Sequence, residues 1–133
     1  MLDCLIIGDS IAVGTKYVRP ECVTYARSGW NSEQWNCFYS SKALVANTVI
    51  ISLGSNDLKN IDTKKELEII RDRTKAQRVF WILPAIKPRV QDIVYEIAFE
   101  NNDVVIPIRS LQKDKVHPDL KGYQQIAKRT KEK

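Results

Sequence analysis

Leu5-Ile6-Ile7-Gly8-Asp9-Ser10-Ile11-Ala12-Val13-Gly14 begins as a continuous apolar run, breaks at a glycine into a polar pair, and resumes with apolar spacing. An uninterrupted apolar run bounded by turn residues reads as a strand covered on both faces. The stretch after Ser10 reads as the opening of a helix. Four further runs follow: Val23-Thr24-Tyr25-Ala26, Val49-Ile50-Ile51-Ser52-Leu53, Val79-Phe80-Trp81-Ile82-Leu83 and Val104-Val105-Ile106. The second is the most polar and suits a sheet edge. Five strands with helical segments between them predict a parallel sheet with helices on both sides.

The helical segments carry their own signals. Val90, Ile93, Val94, Ile97 and Ala98 form an amphipathic stripe. Thr63-Lys64-Lys65-Glu66 has the form of a capping box opening a helix through about Arg73. A helix from Asn31 to about Ser41 takes Asn31 or Ser32 as its N-cap. A last helix is expected from Pro118, with Leu120, Tyr123, Ile126 and Ala127 on its inner face. No repeat, low-complexity tract or linker divides residues 1–133, so one domain is expected.

Composition narrows the function classes. The 133 residues are 44% hydrophobic and 28% charged, the balance of a soluble globular domain. No apolar stretch approaches the roughly 18 residues of a membrane span. No signal peptide is visible, so the chain reads as cytoplasmic, as a mature fragment, or as exported by a route the sequence does not show. Cys4, Cys22 and Cys37 are odd in number and lack CxxC spacing, which predicts reduced thiols packed as small apolar residues. One histidine and no clustered ligands argue against a metal site. The net charge of +5 and the Lys128-Arg129-Thr130-Lys131-Glu132-Lys133 tail favour weak attraction to anions, and the tail reads as solvated. Nothing resembles a nucleic-acid motif.

In open parallel sheets, ligands bind beyond the carboxyl ends of the strands. Four polar clusters fall there: Gly8-Asp9-Ser10, Arg27-Ser28-Gly29-Trp30-Asn31, Gly54-Ser55-Asn56-Asp57 and Asp114-Lys115-Val116-His117. Each has an ordinary reading when taken alone. Ser10 would cap a helix, Gly29 and the Asn56 segment would form turns, and a lone histidine is usually incidental. Together they supply acyl-transfer chemistry. A serine hydroxyl needs a base to become nucleophilic, and His117 is the only histidine. Asp114, three residues earlier, can hold the imidazole tautomer whose Nε2 accepts the serine proton. Asp119 is a rival for that role but better placed to cap the following helix. The Ser10 and Gly29 N–H groups and the Asn56 amide can receive an oxyanion.

These residues resemble the four sequence blocks of the SGNH (GDSL-type) hydrolases: Gly8-Asp9-Ser10, Gly29, Gly54-x-Asn56-Asp57 and Asp114-x-x-His117. The stretch from His117 through Ala127 is also similar to that family's final block, so the resemblance spans residues 5 to 127. It implies a three-layer α/β/α, flavodoxin-like sheet of five parallel strands and a shallow, exposed site. It implies a catalytic Ser10–His117–Asp114 set, an oxyanion hole of Ser10, Gly29 and Asn56, and no cofactor. Asp9, Arg27, Trp30, Ile86 and Lys87 are the candidate substrate-binding residues, with Asp9 more structural than catalytic. Many members are longer, so little chain remains here for a lid or a deep acyl channel.

The expected function is therefore serine esterase action on short acyl groups, such as O-acetyl groups on carbohydrate or other small esters, by a monomer. The alternatives are lysophospholipase or thioesterase activity, acyl transfer, a cell-envelope lytic or deacetylating enzyme, and a non-catalytic flavodoxin-like binding module.

Overall fold

The computed structural model describes residues 1–131. The five expected strands form one parallel sheet: β1 (Leu2–Gly8), β2 (Val23–Ala26), β3 (Leu44–Ser52), β5 (Arg78–Leu83) and β6 (Val104–Pro107). They lie in the order β2-β1-β3-β5-β6, with the polar β2 on an edge as its composition predicts. A two-residue strand, β4 (Thr74–Lys75), pairs with the start of β3 and was not legible as an apolar run. The helices are α1 (Ser10–Val18), α2 (Ser32–Phe38), α3 (Thr63–Arg73), α4 (Pro88–Asn101) and α5 (Leu120–Lys131).

Side chains alternate across the sheet, so each central strand feeds two cores. Leu5, Ile7, Val49, Ile51, Val79 and Trp81 face one side and pack with Trp35, Leu67, Val90, Val94 and Ile97 of α2, α3 and α4. Cys4, Ile6, Ile50, Phe80 and Ile82 face the other and pack with Ile11, Ala12 and Ile126 of α1 and α5. Leu5, Ile6 and Ile7 are all completely buried. Each such side chain contributes roughly 1.5–3 kcal/mol of burial, which explains why the middle of this strand contains no polar residue. The α4 stripe buries as predicted, except that Ile93 is only partly covered.

Several local expectations are corrected. The cap of α3 is Asp62, whose carboxylate accepts from the Lys65 N–H; Thr63 lies inside the helix and donates to Asp57 instead. The Thr63–Glu66 capping box therefore does not form. Glu66 instead accepts from the Asn36 side chain. Asn31 caps α2 and makes a reciprocal box with Gln34, and that helix ends at Phe38 rather than Ser41. Pro118 precedes α5 in a bridge to Leu111, and Asp119 caps the helix by accepting from the Gly122 N–H. Leu120, expected on the inner face, is 68% exposed.

The cysteines and the tail depart further from what the sequence predicts. Cys4 and Cys22 form a disulfide that ties β1 to the segment entering β2, so these thiols are not reduced. Both still pack in the apolar core, and Cys37 is free and exposed. The tail is not simply solvated either: α5 continues to Lys131, and Thr130 is buried and accepts from the Arg19 guanidinium. Glu132 and Lys133 lie outside the described residues. Among the described residues, no helix is long and apolar enough to cross a membrane.

Candidate active site

The strand order reverses at β1: the chain steps from β1 to β2 on one side and returns to β3 on the other. The crevice at such a reversal is where open α/β sheets bind ligands. Gly8 ends β1 there, in register with Ala26 on one side and Ser52 on the other. Its φ is +143°, and a Cβ would meet the Ser52 carbonyl oxygen at 1.8 Å. Only glycine permits so close a strand approach at that backbone angle. The next residues are fastened on both flanks: the Asp9 N–H donates to Ser52 O at 2.9 Å, and the Arg27 N–H donates to Gly8 O at 3.0 Å.

This close crossing turns Asp9 inward and Ser10 outward. Asp9 is fully buried, caps α1 by accepting from the Ile11 N–H, and accepts from Ser52 Oγ. It therefore cannot contact substrate, and its inclusion among the candidate binding residues is corrected. Burial pushes its carboxyl up to about 6, against the opposing pull of the Ile11 N–H and Ser52 hydroxyl. Ser10 is the first residue of α1, where the backbone N–H has no acceptor within the helix.

The Ser10 hydroxyl lies 2.8 Å from His117 Nε2, although the two are 107 positions apart. His117 Nδ1 lies 2.6 Å from Asp114 Oδ2. Asp114 Oδ1 also accepts the Val116 and His117 backbone N–H groups at 2.9 and 3.0 Å. These backbone hydrogen bonds, followed by the contact with the His117 ring, hold the Asp114 carboxyl down at about 2. Asp114 is thus ionised wherever the protein is folded at ordinary pH. With Nδ1–H donating to that carboxylate, Nε2 is left to accept the Ser10 proton. The side chains of His117 and Asp114 are 35% and 47% exposed, so the pair stands open to water.

Gly29 and Asn56 come to the same rim. Gly29 has φ +80°, a backbone angle that favours glycine, with open space where a Cβ would point. Asn56 donates one amide hydrogen to the Trp30 carbonyl oxygen at 3.0 Å, which fixes the amide plane and leaves its second hydrogen available.

Asp57, whose position in the sequence suggests only a turn, organises these loops. It is buried; one oxygen accepts from the Ser32 N–H, and the other accepts from the Ser32 and Thr63 hydroxyls. Its carbonyl accepts from Lys87 Nζ at 2.8 Å. Four elements therefore meet at one residue. The available sequence signal was weak: an aspartate after a turn asparagine, with hydroxyl residues near the starts of the neighbouring helices.

The other candidate binding residues are divided. Arg27 is exposed and Trp30 partly so, with the Arg27 guanidinium carbon 5.5 Å from the Trp30 ring centroid and 4.9 Å from that of Phe38. Ile86 is partly buried, while the ammonium of Lys87 is engaged with Asp57. A shallow groove of about 450 Å³ lies along Trp30, Glu33, Gln34, Cys37 and Phe38. A second of about 420 Å³ is lined by Asp57, Leu58, Lys59, Lys87, Pro88 and Arg89. Neither is lined by Ser10 or His117. Cys4, Glu21 and Cys22 lie close together, but the disulfide removes the thiolates that a metal would need.

No protein-family model and no curated protein matches the sequence. Solved structures do match. A Bacteroides fragilis protein assigned as an acylhydrolase superposes with TM-score 0.68 at 17% identity, covering 95% of this chain and 83% of its own. A Parabacteroides merdae protein assigned as a GDSL-like lipase gives TM-score 0.68 at 16% identity, covering 96% and 92%. The catalytic domain of the peptidoglycan O-acetyltransferase OatA from Streptococcus pneumoniae, carrying a methylsulfonyl adduct, gives 0.60 at 17%, covering 96% and 89%. With the strand reversal at Gly8 and these superpositions together, the chain has the three-layer α/β fold of the SGNH-type hydrolases.

Proposed function

We propose that the protein is a serine esterase that cleaves short acyl groups from small esters or acylated glycans. The observation that carries this reading is the unbroken hydrogen-bonded line from Ser10 Oγ through the His117 ring to Asp114, at 2.8 and 2.6 Å. Ser10 attacks the acyl carbon while His117 Nε2 takes its proton, and Asp114 stabilises the imidazolium that forms. The tetrahedral oxyanion is received by the Ser10 and Gly29 N–H groups and the free hydrogen of the Asn56 amide. His117 then protonates the leaving alcohol, and a water deprotonated by the same imidazole hydrolyses the acyl-enzyme. No step draws on a cofactor.

The openness of the rim supports a short acyl group, since Ser10 does not line either of the two grooves described. Transfer to a sugar hydroxyl in place of water uses the same residues, and the likeness to an O-acetyltransferase domain favours it as the second reading. A fluorophosphonate probe tests the central claim. Covalent labelling of Ser10 that disappears in Ser10→Ala is expected; folded wild-type protein that takes no label refutes the esterase. A series of p-nitrophenyl esters of rising acyl length, beside acetylated glycans, then separates acetyl from long-chain specificity.

A further inference from the structure

The rim around Asn56 is positively charged on both flanks. On the β2–α2 side, Arg27 is exposed and rests against the rings of Trp30 and Phe38. Among the described residues it has no carboxylate partner, whereas Arg19, Arg71 and Arg73 are engaged by Glu21, by Asp103 and by backbone carbonyls. An arginine supported on aromatic faces keeps its fork of donors pointed at solvent with little side-chain entropy left to lose. Its backbone is also tied to the strand that leads to Ser10. The Arg27 N–H is bonded to Gly8 O, two residues before Ser10, and the adjoining Trp30 carbonyl holds the Asn56 amide.

On the other flank, Lys59, Lys87 and Arg89 line the groove that begins at Asp57, immediately after Asn56. Among the described residues no carboxylate forms an ion pair with Arg27, Lys59, Lys87 or Arg89, although Glu33 lies along the Trp30–Phe38 groove. Asp57 is buried and saturated by hydroxyl and N–H donors, Asp9 is buried, and Asp114 is held by His117. Exposed cations beside an open, water-exposed rim raise the local concentration of anionic substrates.

We infer that the ester taken by this site carries an oxyanion, a carboxylate or a phosphate, and that Arg27 receives it beside the scissile bond as a specificity-determining residue. This rests on the esterase reading for the ester but not for the anion. Planar, paired recognition of such groups is what a guanidinium does and an ammonium does not. The Lys59–Arg89 groove adds attraction without fixed geometry, so it raises the encounter rate more than the selectivity.

Three acetyl esters of phenol test this: one with a para carboxylate, one with a para phosphate, and the neutral methyl ester of the first. At low salt, kcat/KM for an anionic ester should exceed that for the neutral one by about tenfold, and 0.5 M salt should shrink the ratio. Arg27→Gln should lower kcat/KM for the anionic ester about tenfold more than for the neutral one, with Arg27→Lys recovering only part. Response to one anion alone identifies which source the site takes. Equal turnover of all three esters by wild type, or equal losses on charged and neutral esters in Arg27→Gln, overturns the inference. The same compounds titrated onto Ser10→Ala protein, read by the NMR shift of the Arg27 Nε–H, report anion binding without catalysis. A shift there with no turnover in wild type condemns the esterase reading and spares Arg27; turnover with no shift does the reverse.

Discussion

The Asn56 side chain donates to the Trp30 carbonyl oxygen, latching the loop after β3 to the loop after β2. One amide hydrogen is used structurally, and the other is presented in a fixed direction. Asn56→Ala should therefore lower kcat about 10²–10³-fold, as loss of a preorganised oxyanion donor does elsewhere. Steady-state kinetics on p-nitrophenyl acetate measures it. Turnover near the wild-type value would remove Asn56 from the oxyanion hole.

Asp114→Asn keeps an oxygen for the Val116 and His117 N–H groups while losing the carboxylate that selects the imidazole tautomer. The fold should survive and kcat should drop, on the order of 10²–10⁴-fold. Circular dichroism checks the first and kinetics the second. A fully active Asp114→Asn enzyme would show that the orienting group lies elsewhere, with Asp119 committed to Ser110 and the α5 cap.

Asp9 makes stability depend on pH with a definite sign. Its carboxyl titrates at about 6 in the fold, against an ordinary value of 3.8, so the folded state holds the proton more tightly than the unfolded chain. Its contribution is full below 3.8 and is lost as pH rises through 6, amounting to about 3 kcal/mol. Asp9→Asn has the same shape and no charge, so its Tm should fall less than that of wild type between pH 4.5 and 7.5. Parallel Tm curves for the two proteins would contradict the assignment.

Asp57→Ala strips the acceptor from the Ser32 N–H and from the Ser32 and Thr63 hydroxyls in a buried position. The cost should be about 3–5 kcal/mol, comparable with breaking other buried charged networks. Urea denaturation reads this directly. A loss below about 1 kcal/mol would mean that the loops are held by something else.

Cys22→Ser opens the link across 18 positions between β1 and the start of β2. The expected loss is about 3 kcal/mol, from a less constrained unfolded chain. Thiol reductant should lower the wild-type Tm and leave the variant unmoved. Identical melting of wild type with and without reductant would exclude the bond.

The strands and the rim were legible because their signals are local. Leu5-Ile6-Ile7 and Val49 to Ile51 are apolar regardless of what lies beside them, and strand ends locate Ser10, Gly29 and Asn56 without knowledge of the packing, whereas His117 lies in the loop before α5, well beyond the end of β6. Residues that act through distant partners were not legible. Nothing near Asp57 in sequence announces Ser32, 25 positions away. The same is true of Cys4 and Cys22, where an odd count pointed to free thiols and only the sheet register brings the pair together. Thr63 illustrates a misread local signal: the Thr-x-x-Glu pattern was real, but the stronger demand of a buried carboxylate took its hydroxyl.

The disulfide limits how the protein can diverge. α1 is moored at its amino end by the Asp9–Ser52 pairing, and the chain just beyond its carboxyl end is welded to β1 through Cys22. A rod clamped at both ends resists sliding and rolling, so on the proposed function Ser10 would be presented at one height to every ester that arrives. Under that function, new substrates would be accommodated by exchanging the loops that carry Arg27 or Lys87, with Ser10 as the immovable reference from which those loops are measured.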